Sequence, residues 1–337
     1  MQEGSSQRPV NHVCRDEGRT IGQRKTLGLI VPAILCMYGL VDLVDIIGRF
    51  AGGTSTLTVG SSIAMAEQPK SQLPERVSFA SADGQTTLIG YVFTPVAPHQ
   101  GRSAAVVMMH GRAGAYSSAA HGHYDAVTIS KRHLKWGNLW ARQGYLGILV
   151  DSFGPRGYPG GFPRFSYDSR PDELSEVTIR PLDAYGALAY LRSRDDVAAD
   201  RIALQGWSNG GSATLATMSS VAPGLTRSAG ATSGFRGALV FYPGCGLKGE
   251  FKNGFVPYAP VRIFQGSADE EVSPSRCVDL VSKSRGMGGD VDLQLYRGAT
   301  HDFDDPSPSH QGIEANSEAD RDATTRAIEF FSKLLNS

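Results

Sequence analysis

The chain lacks any surplus of one charge. Its 337 residues carry 33 Lys and Arg against 33 Asp and Glu, with no long run of either sign. A nucleic-acid partner is bound through a basic face that displaces counterions, so that class of function is not expected. There is no GxxxxGK[ST] loop to cradle a nucleotide phosphate and no internal repeat to build a solenoid or propeller. The four cysteines, Cys14, Cys36, Cys245 and Cys277, have no zinc-like spacing. His121, His123 and Asp125 lie in a polar loop without a further ligand cluster, so no metal and no organic cofactor is expected. What the chain does have is 41% hydrophobic content over a length that fills one large α/β core.

Residues 1–70 read as an extension distinct from residues 71–337. Met1 to Lys25 is polar, with Arg15, Arg19, Arg24 and Lys25. Leu27 to Val41 is an apolar run of signal-sequence length, and Ala64-Met65-Ala66 is a small-x-small cleavage pattern. The polar lead is long for a signal, and the cleavage pattern lies far beyond the apolar run. An uncleaved membrane anchor over Leu27 to Ile47 is therefore the alternative. Asp42 and Asp45 weigh against it, since a mid-membrane aspartate costs about 2.5–3.5 kcal/mol. A cytosolic extension is the third reading. Export, periplasmic or secreted, is the expectation.

Chemistry concentrates at Gly206-Trp207-Ser208-Asn209-Gly210-Gly211. This G-x-S-x-G follows the apolar run Ile202-Ala203-Leu204 and precedes a small-residue segment, Ser212 to Met218. Strand, G-x-S-x-G, helix is the context of a nucleophile elbow, whose glycines let the chain turn sharply and lift the serine above the sheet. A serine hydroxyl is a weak nucleophile and needs a base, and that base an orienting carboxylate. Val261 to Gln265 reads as a strand running into Gly266-Ser267-Ala268-Asp269-Glu270-Glu271, and Val291 to Tyr296 as a strand leading to Gly298-Ala299-Thr300-His301. Asp269 and His301 thus fall on loops past strand ends, where ligands collect in parallel sheets. Ser, then Asp, then His is the α/β-hydrolase chain order. Glu270 and Glu271 adjoin Asp269 and are the alternative acids.

Ala104 to Met109 is a continuous apolar run of the kind a central parallel strand requires, ending at His110-Gly111-Arg112-Ala113-Gly114. In α/β-hydrolases the oxyanion is held by backbone N–H groups of the residue after the nucleophile and of this loop. Those are Asn209 and Arg112. His110, Arg156 and Trp207 are candidates for substrate contact. A structural ion pair is the other reading of Arg156, and packing that of Trp207. Asp302, Asp304 and Asp305 read as turn and surface residues.

The remaining elements alternate. Arg76 to Ala80 and Thr87 to Thr94 are expected as edge strands joined at Ala82-Asp83-Gly84, Tyr145 to Val150 and Ala238 to Tyr242 as buried strands. Lys131 to Gln143, Leu182 to Leu191 and Thr324 to Leu335 are expected as helices. The fold expected is a mostly parallel, doubly wound sheet with helices on both faces.

From about Val77 onward the chain resembles the dienelactone hydrolase family of α/β-hydrolases. The matching pieces are MMHGRAG, VDSFGPRG at Val150 to Gly157, LQGWSNGG at Leu204 to Gly211, FYPGCG at Phe241 to Gly246 and GATHDFD at Gly298 to Asp304. The resemblance implies the α/β-hydrolase fold and ester chemistry. One position departs: founding members carry a cysteine nucleophile where this chain has Ser208, so the dienelactone substrate itself does not carry over.

The expected activity is hydrolysis of a small carboxylic ester or lactone by Ser208, Asp269 and His301 through an acyl-enzyme. A peptidase on the same fold is the alternative, and a noncatalytic ligand-binding relative a further one. Cys245 and Cys277 follow neighbouring strands at one sheet edge and suit a disulfide if the protein is exported.

Overall fold

Period-two burial decides the centre of the molecule. In the computed structural model, residues 73–96, 101–222, 224, 227–228, 231–232 and 234–336 are described. The Leu27 to Ile47 segment, the Ala64 to Ala66 pattern, Cys14 and Cys36 lie outside them. Eight strands form one sheet: β1 (Glu75–Ala80), β2 (Thr87–Phe93), β3 (Ser103–Met109), β4 (Leu146–Asp151), β5 (Val197–Trp207), β8 (Ala238–Phe241), β9 (Val261–Gly266) and β10 (Val291–Tyr296). Between β5 and β8, β6 (Arg227–Ser228) and β7 (Ala231–Thr232) make a separate antiparallel ribbon.

The sheet order is β1-β2-β4-β3-β5-β8-β9-β10. The six strands from β4 to β10 run parallel, while β2 lies antiparallel to β4 and β1 antiparallel to β2. β1 is thus an edge strand, as expected, whereas β2 sits one place inside it. All seven residues of β3 are buried, because helices cover both faces. Its alternation feeds two separate cores. Ala105, Val107 and Met109 face α2 (Arg180–Arg192), α3 (Asn209–Met218) and α4 (Pro274–Gly286). Ala104, Val106 and Met108 face α1 (Lys131–Arg142) and α6 (Glu314–Leu335). A one-turn helix, α5 (Pro308–Gln311), precedes α6.

Helix α6 begins ten residues before the expected Thr324. Its buried stripe of Ala319, Ala323, Ala327, Phe331 and Leu335 repeats every four residues, and its first two members are only methyl groups in a charged stretch. Small alanines suffice there because the helix lies close to the sheet.

Chain connectivity positions the site. The connection through α1 carries the chain from β3 to β4 on one side, and α2 carries it back across β3 to β5 on the other. The order therefore reverses at the β3–β5 boundary, where open α/β sheets leave a crevice beyond their carboxyl ends. Register aligns those ends: Met109 pairs with Gly206, Trp207 with Phe241, and Phe241 with Phe264. His110, Ser208 and Tyr242 consequently emerge side by side. Among the described residues, no helix is long and apolar enough to cross a membrane.

Candidate active site

Ser208 lies between β5 and α3 with φ 50° and ψ −116°, a backbone conformation that L-residues rarely adopt. Glycine is what makes the turn buildable. A Cβ on Gly206 would strike the carbonyl of Gly210, and one on Gly210 would strike the carbonyls of Met109 and His110. The elbow is thereby pressed against the loop after β3.

The structure brings Ser208, His301 and Asp269 together. Ser208 Oγ is 3.0 Å from His301 Nε2, and His301 Nδ1 is 2.8 Å from Asp269 Oδ2. With Nδ1 donating to the carboxylate, Nε2 is left to accept from the serine hydroxyl. Asp269 is itself fixed: its Oδ1 accepts from the Glu271 and Val272 amides, both at 2.9 Å, and its Oδ2 accepts from Gln265 Nε2 at 2.8 Å. Burial by itself would lower the His301 pKa. The hydrogen bond to Asp269 and the charges of Asp302, Asp269 and Glu271 outweigh it and hold the histidine above its ordinary value.

The two other acids are placed differently. Glu270 is exposed and accepts from the His301 main-chain N–H at 3.1 Å. Glu271 has its Oε2 3.8 Å from His301 Nε2, the serine-facing nitrogen. Arg112 clamps it with two 2.8 Å bonds, and Arg164 Nε adds a contact at 2.5 Å. Burial raises the Glu271 pKa, but the Arg112 hydrogen bond and the charges of His301 and Arg112 prevail and lower it. Glu271 thus ties the loop after β9 to the loop after β3.

Arg112 and Asn209 flank Ser208 and line the same cavity. Asn209 is the first residue of α3, where a helix leaves its amides without intrahelical acceptors. The cavity holds about 490 Å³ and is walled by Phe165, Tyr167 and Arg170 from the β4–α2 connection and by Gly244 to Gly249 after β8. A second cavity of about 380 Å³ opens on the other side of Ser208, toward His301, Lys131 and His310.

None of the three residues expected to touch substrate lines the larger cavity. His110 is wholly buried, its Nδ1 2.7 Å from the Gly111 carbonyl, and burial takes its pKa well below the ordinary value. Arg156 is spent on a bidentate pair with Asp183, both bonds 2.8 Å, and a further bond to Asp83 at 2.9 Å. Its ion-pair reading therefore holds. Trp207 points into the core on the far side of the sheet, packed against Trp136 and Phe241.

The aspartates after His301 are a correction. Asp304 is wholly buried rather than a surface residue: it accepts from Tyr242 Oη at 2.5 Å, Trp136 Nε1 at 2.7 Å and Trp207 Nε1 at 2.9 Å. Asp302 and Asp305 both pair with Arg132, at 2.9 and 3.1 Å. Burial raises the Asp302 pKa, but the charges of Arg132 and His301 prevail and bring it down to about 2. Buried indoles need an acceptor, but Trp136 and Trp207 lie 168 and 97 residues from Asp304, so no local signal marks it. Among the described residues, exposed His121 and His123 join no group of metal-ligating side chains. Cys245 and Cys277 are joined as a disulfide between the β8 loop and α4.

Comparison with known proteins bears on the fold and the family. No curated protein matches the chain significantly. Among solved structures, a dienelactone hydrolase-like promiscuous phosphotriesterase from metagenomic libraries is 18% identical, covering 77% of this chain and 97% of its own, with a TM-score of 0.55. Esterase 2 of Thermogutta terrifontis is 18% identical over 79% of this chain and 96% of its own, with a TM-score of 0.54. A puromycin-hydrolyzing peptidase of Mycobacterium tuberculosis is also 18% identical, over 80% of this chain but 42% of its own, with a TM-score of 0.56. At such identities the likeness is one of fold. The family is given by sequence: residues 88–335 match the model of the dienelactone hydrolase family, and the chain belongs to that family of α/β-hydrolases.

Proposed function

We propose that this protein is a serine hydrolase that cleaves a small carboxylic ester or lactone through an acyl-enzyme. The observation that carries the reading is the Ser208–His301–Asp269 relay, with spacings of 3.0 and 2.8 Å, at the floor of a cavity. Ser208 Oγ attacks the carbonyl carbon as His301 Nε2 takes the hydroxyl proton, and Asp269 stabilises the imidazolium. The carbonyl oxygen becomes an alkoxide facing the Arg112 and Asn209 amides. In comparable sites each such donor contributes about 2.7–4 kcal/mol. On collapse, His301 returns the proton to the leaving oxygen. Water, deprotonated by the same nitrogen, then attacks the acyl-enzyme and releases the acid.

Export is proposed for this activity. The Cys245–Cys277 bond supports it, because structural disulfides persist in oxidising compartments.

The mechanism is tested by labelling with a fluorophosphonate and by turnover of short-chain esters against a peptide panel. Wild type should be labelled and should prefer esters. Ser208→Ala and His301→Ala should each remove most turnover, without multiplying when combined, since the two act as a unit. Near-normal turnover by folded Ser208→Ala would refute it.

A further inference from the structure

Arg180 stands behind the site, wholly buried, at the first turn of α2, and lines neither cavity. Its Nη1 donates to Asn209 Oδ1 at 2.6 Å, and its Nη2 to the His110 carbonyl at 2.8 Å. The guanidinium lies 5.0 Å from the centre of the Phe153 ring, and among the described residues its Nε has no acceptor. Burial lowers its pKa to about 10, while Asp183 and Glu176 act to raise it, so it remains a cation at neutral pH. Among the described residues it forms no ion pair within 4.0 Å; Asp183 is held by Arg156.

Stability alone gives little reason for this arrangement. Taking a charge out of water costs several kcal/mol, and a well-packed apolar side chain of similar volume often serves as well. The two acceptors supply the reason. Asn209 offers one of the two amides that face the developing oxyanion, and His110 lies two residues before Arg112, which offers the other. The two amides lie nearly a hundred residues apart in sequence, and Arg180 is bonded to the side chain of Asn209 itself and to the carbonyl two residues before Arg112.

We propose that Arg180 is the positioning residue of the oxyanion hole: it sets the Asn209 and Arg112 amides against each other and places a positive charge behind them. The inference rests on the acyl-transfer reading above. Its physical content is selectivity for the transition state. Donors aimed at an alkoxide rather than at a ground-state carbonyl lower the barrier without tightening substrate binding. Loss of Arg180 should therefore reduce kcat and leave KM nearly unchanged.

The experiment uses the full chain, a short-chain p-nitrophenyl ester, and phenylboronic acid, which forms a tetrahedral anion on a reactive serine. Arg180→Met keeps the volume but removes the charge and both bonds. We expect kcat to fall about 100-fold, the size of losing one oxyanion donor, with KM within twofold and boronate affinity falling in step with kcat. Arg180→Lys, which keeps the charge but cannot fork to two acceptors, should recover part of that loss. If Arg180→Met does not fold, Asn209→Ala cuts one of the two bonds and should lose about tenfold in kcat with the same KM signature, by the same reasoning. A folded Arg180→Met, or in its place Asn209→Ala, with kcat within twofold of wild type would overturn the inference alone. So would a loss appearing in KM, or boronate affinity left unchanged. A wild type that hydrolyses no ester and binds no boronate would overturn the acyl-transfer reading and this inference with it.

Discussion

Asp304→Asn is the substitution whose cost can be worked most directly from the structure. The side chain is fully buried and receives three donors at 2.5, 2.7 and 2.9 Å, from Tyr242, Trp136 and Trp207. An asparagine has the same shape but only one acceptor oxygen. In its better orientation that oxygen keeps the two indoles, while its NH2 turns toward Tyr242, whose hydroxyl can accept instead of donate. The charge beside Arg132 Nε, 3.2 Å away, is then lost. A charge-assisted bond is worth about 1.5–3 kcal/mol and a neutral one about 0.5–1.5, so each of the three bonds weakens by about 1 kcal/mol. We expect a loss of about 2–4 kcal/mol, a large share of the 5–15 kcal/mol typical of a whole domain. Urea unfolding at unchanged m-value is the assay. Asp305→Asn, which loses only a partly exposed partner of the same arginine, should cost less than about 1 kcal/mol. A cost for Asp304→Asn below about 1 kcal/mol, or equal to that of Asp305→Asn, would show that the His301 loop is not fastened as described.

Four further outcomes are expected. Asp269→Asn should lose far more rate than Glu270→Gln, because only Asp269 holds His301 Nδ1; a crippled Glu270→Gln with near-normal Asp269→Asn would reassign the acid. In the proposed mechanism the base works as neutral imidazole, so activity should appear as pH rises through a His301 pKa that is held above its ordinary value. Glu271→Gln removes a negative charge 3.8 Å from Nε2 and favours the neutral form, so the acid limb of kcat/KM should move to lower pH; a limb that stays put or moves upward counts against it. Reduction of Cys245–Cys277, 32 residues apart, should remove up to about 4 kcal/mol of stability while changing Ser208 chemistry less. Scanning calorimetry with and without reductant reads this, and an intact-mass measurement on natively exported protein should find a chain starting at Glu67 without free thiols.

Much of the site was legible because its signals are local. G-x-S-x-G between an apolar run and a small-residue helix needs no partner to be recognised, since the turn's sterics dictate its glycines. Asp269 and His301 were found for the same reason: each follows a strand whose alternation shows in the sequence. The misreadings share a different cause. Asp304 looked like a surface turn residue because nothing near it in sequence marks the indoles of Trp136 and Trp207, 168 and 97 residues away, that it receives. Trp207, beside Ser208, carried a packing and a substrate-wall reading, and its ring packs in the core against Trp136 and Phe241.

The sequence by itself thus determined the fold class, the elbow and the order of Ser208, Asp269 and His301, because backbone sterics and hydrophobic period act over a few residues. Tertiary structure alone decided which charges meet. Arg112 finds Glu271 across 159 residues, and Arg156 finds Asp83 across 73. Ion pairs carry no periodicity, and any arginine can serve any carboxylate of the right distance. Their choice waits until the sheet has set the loops beside one another.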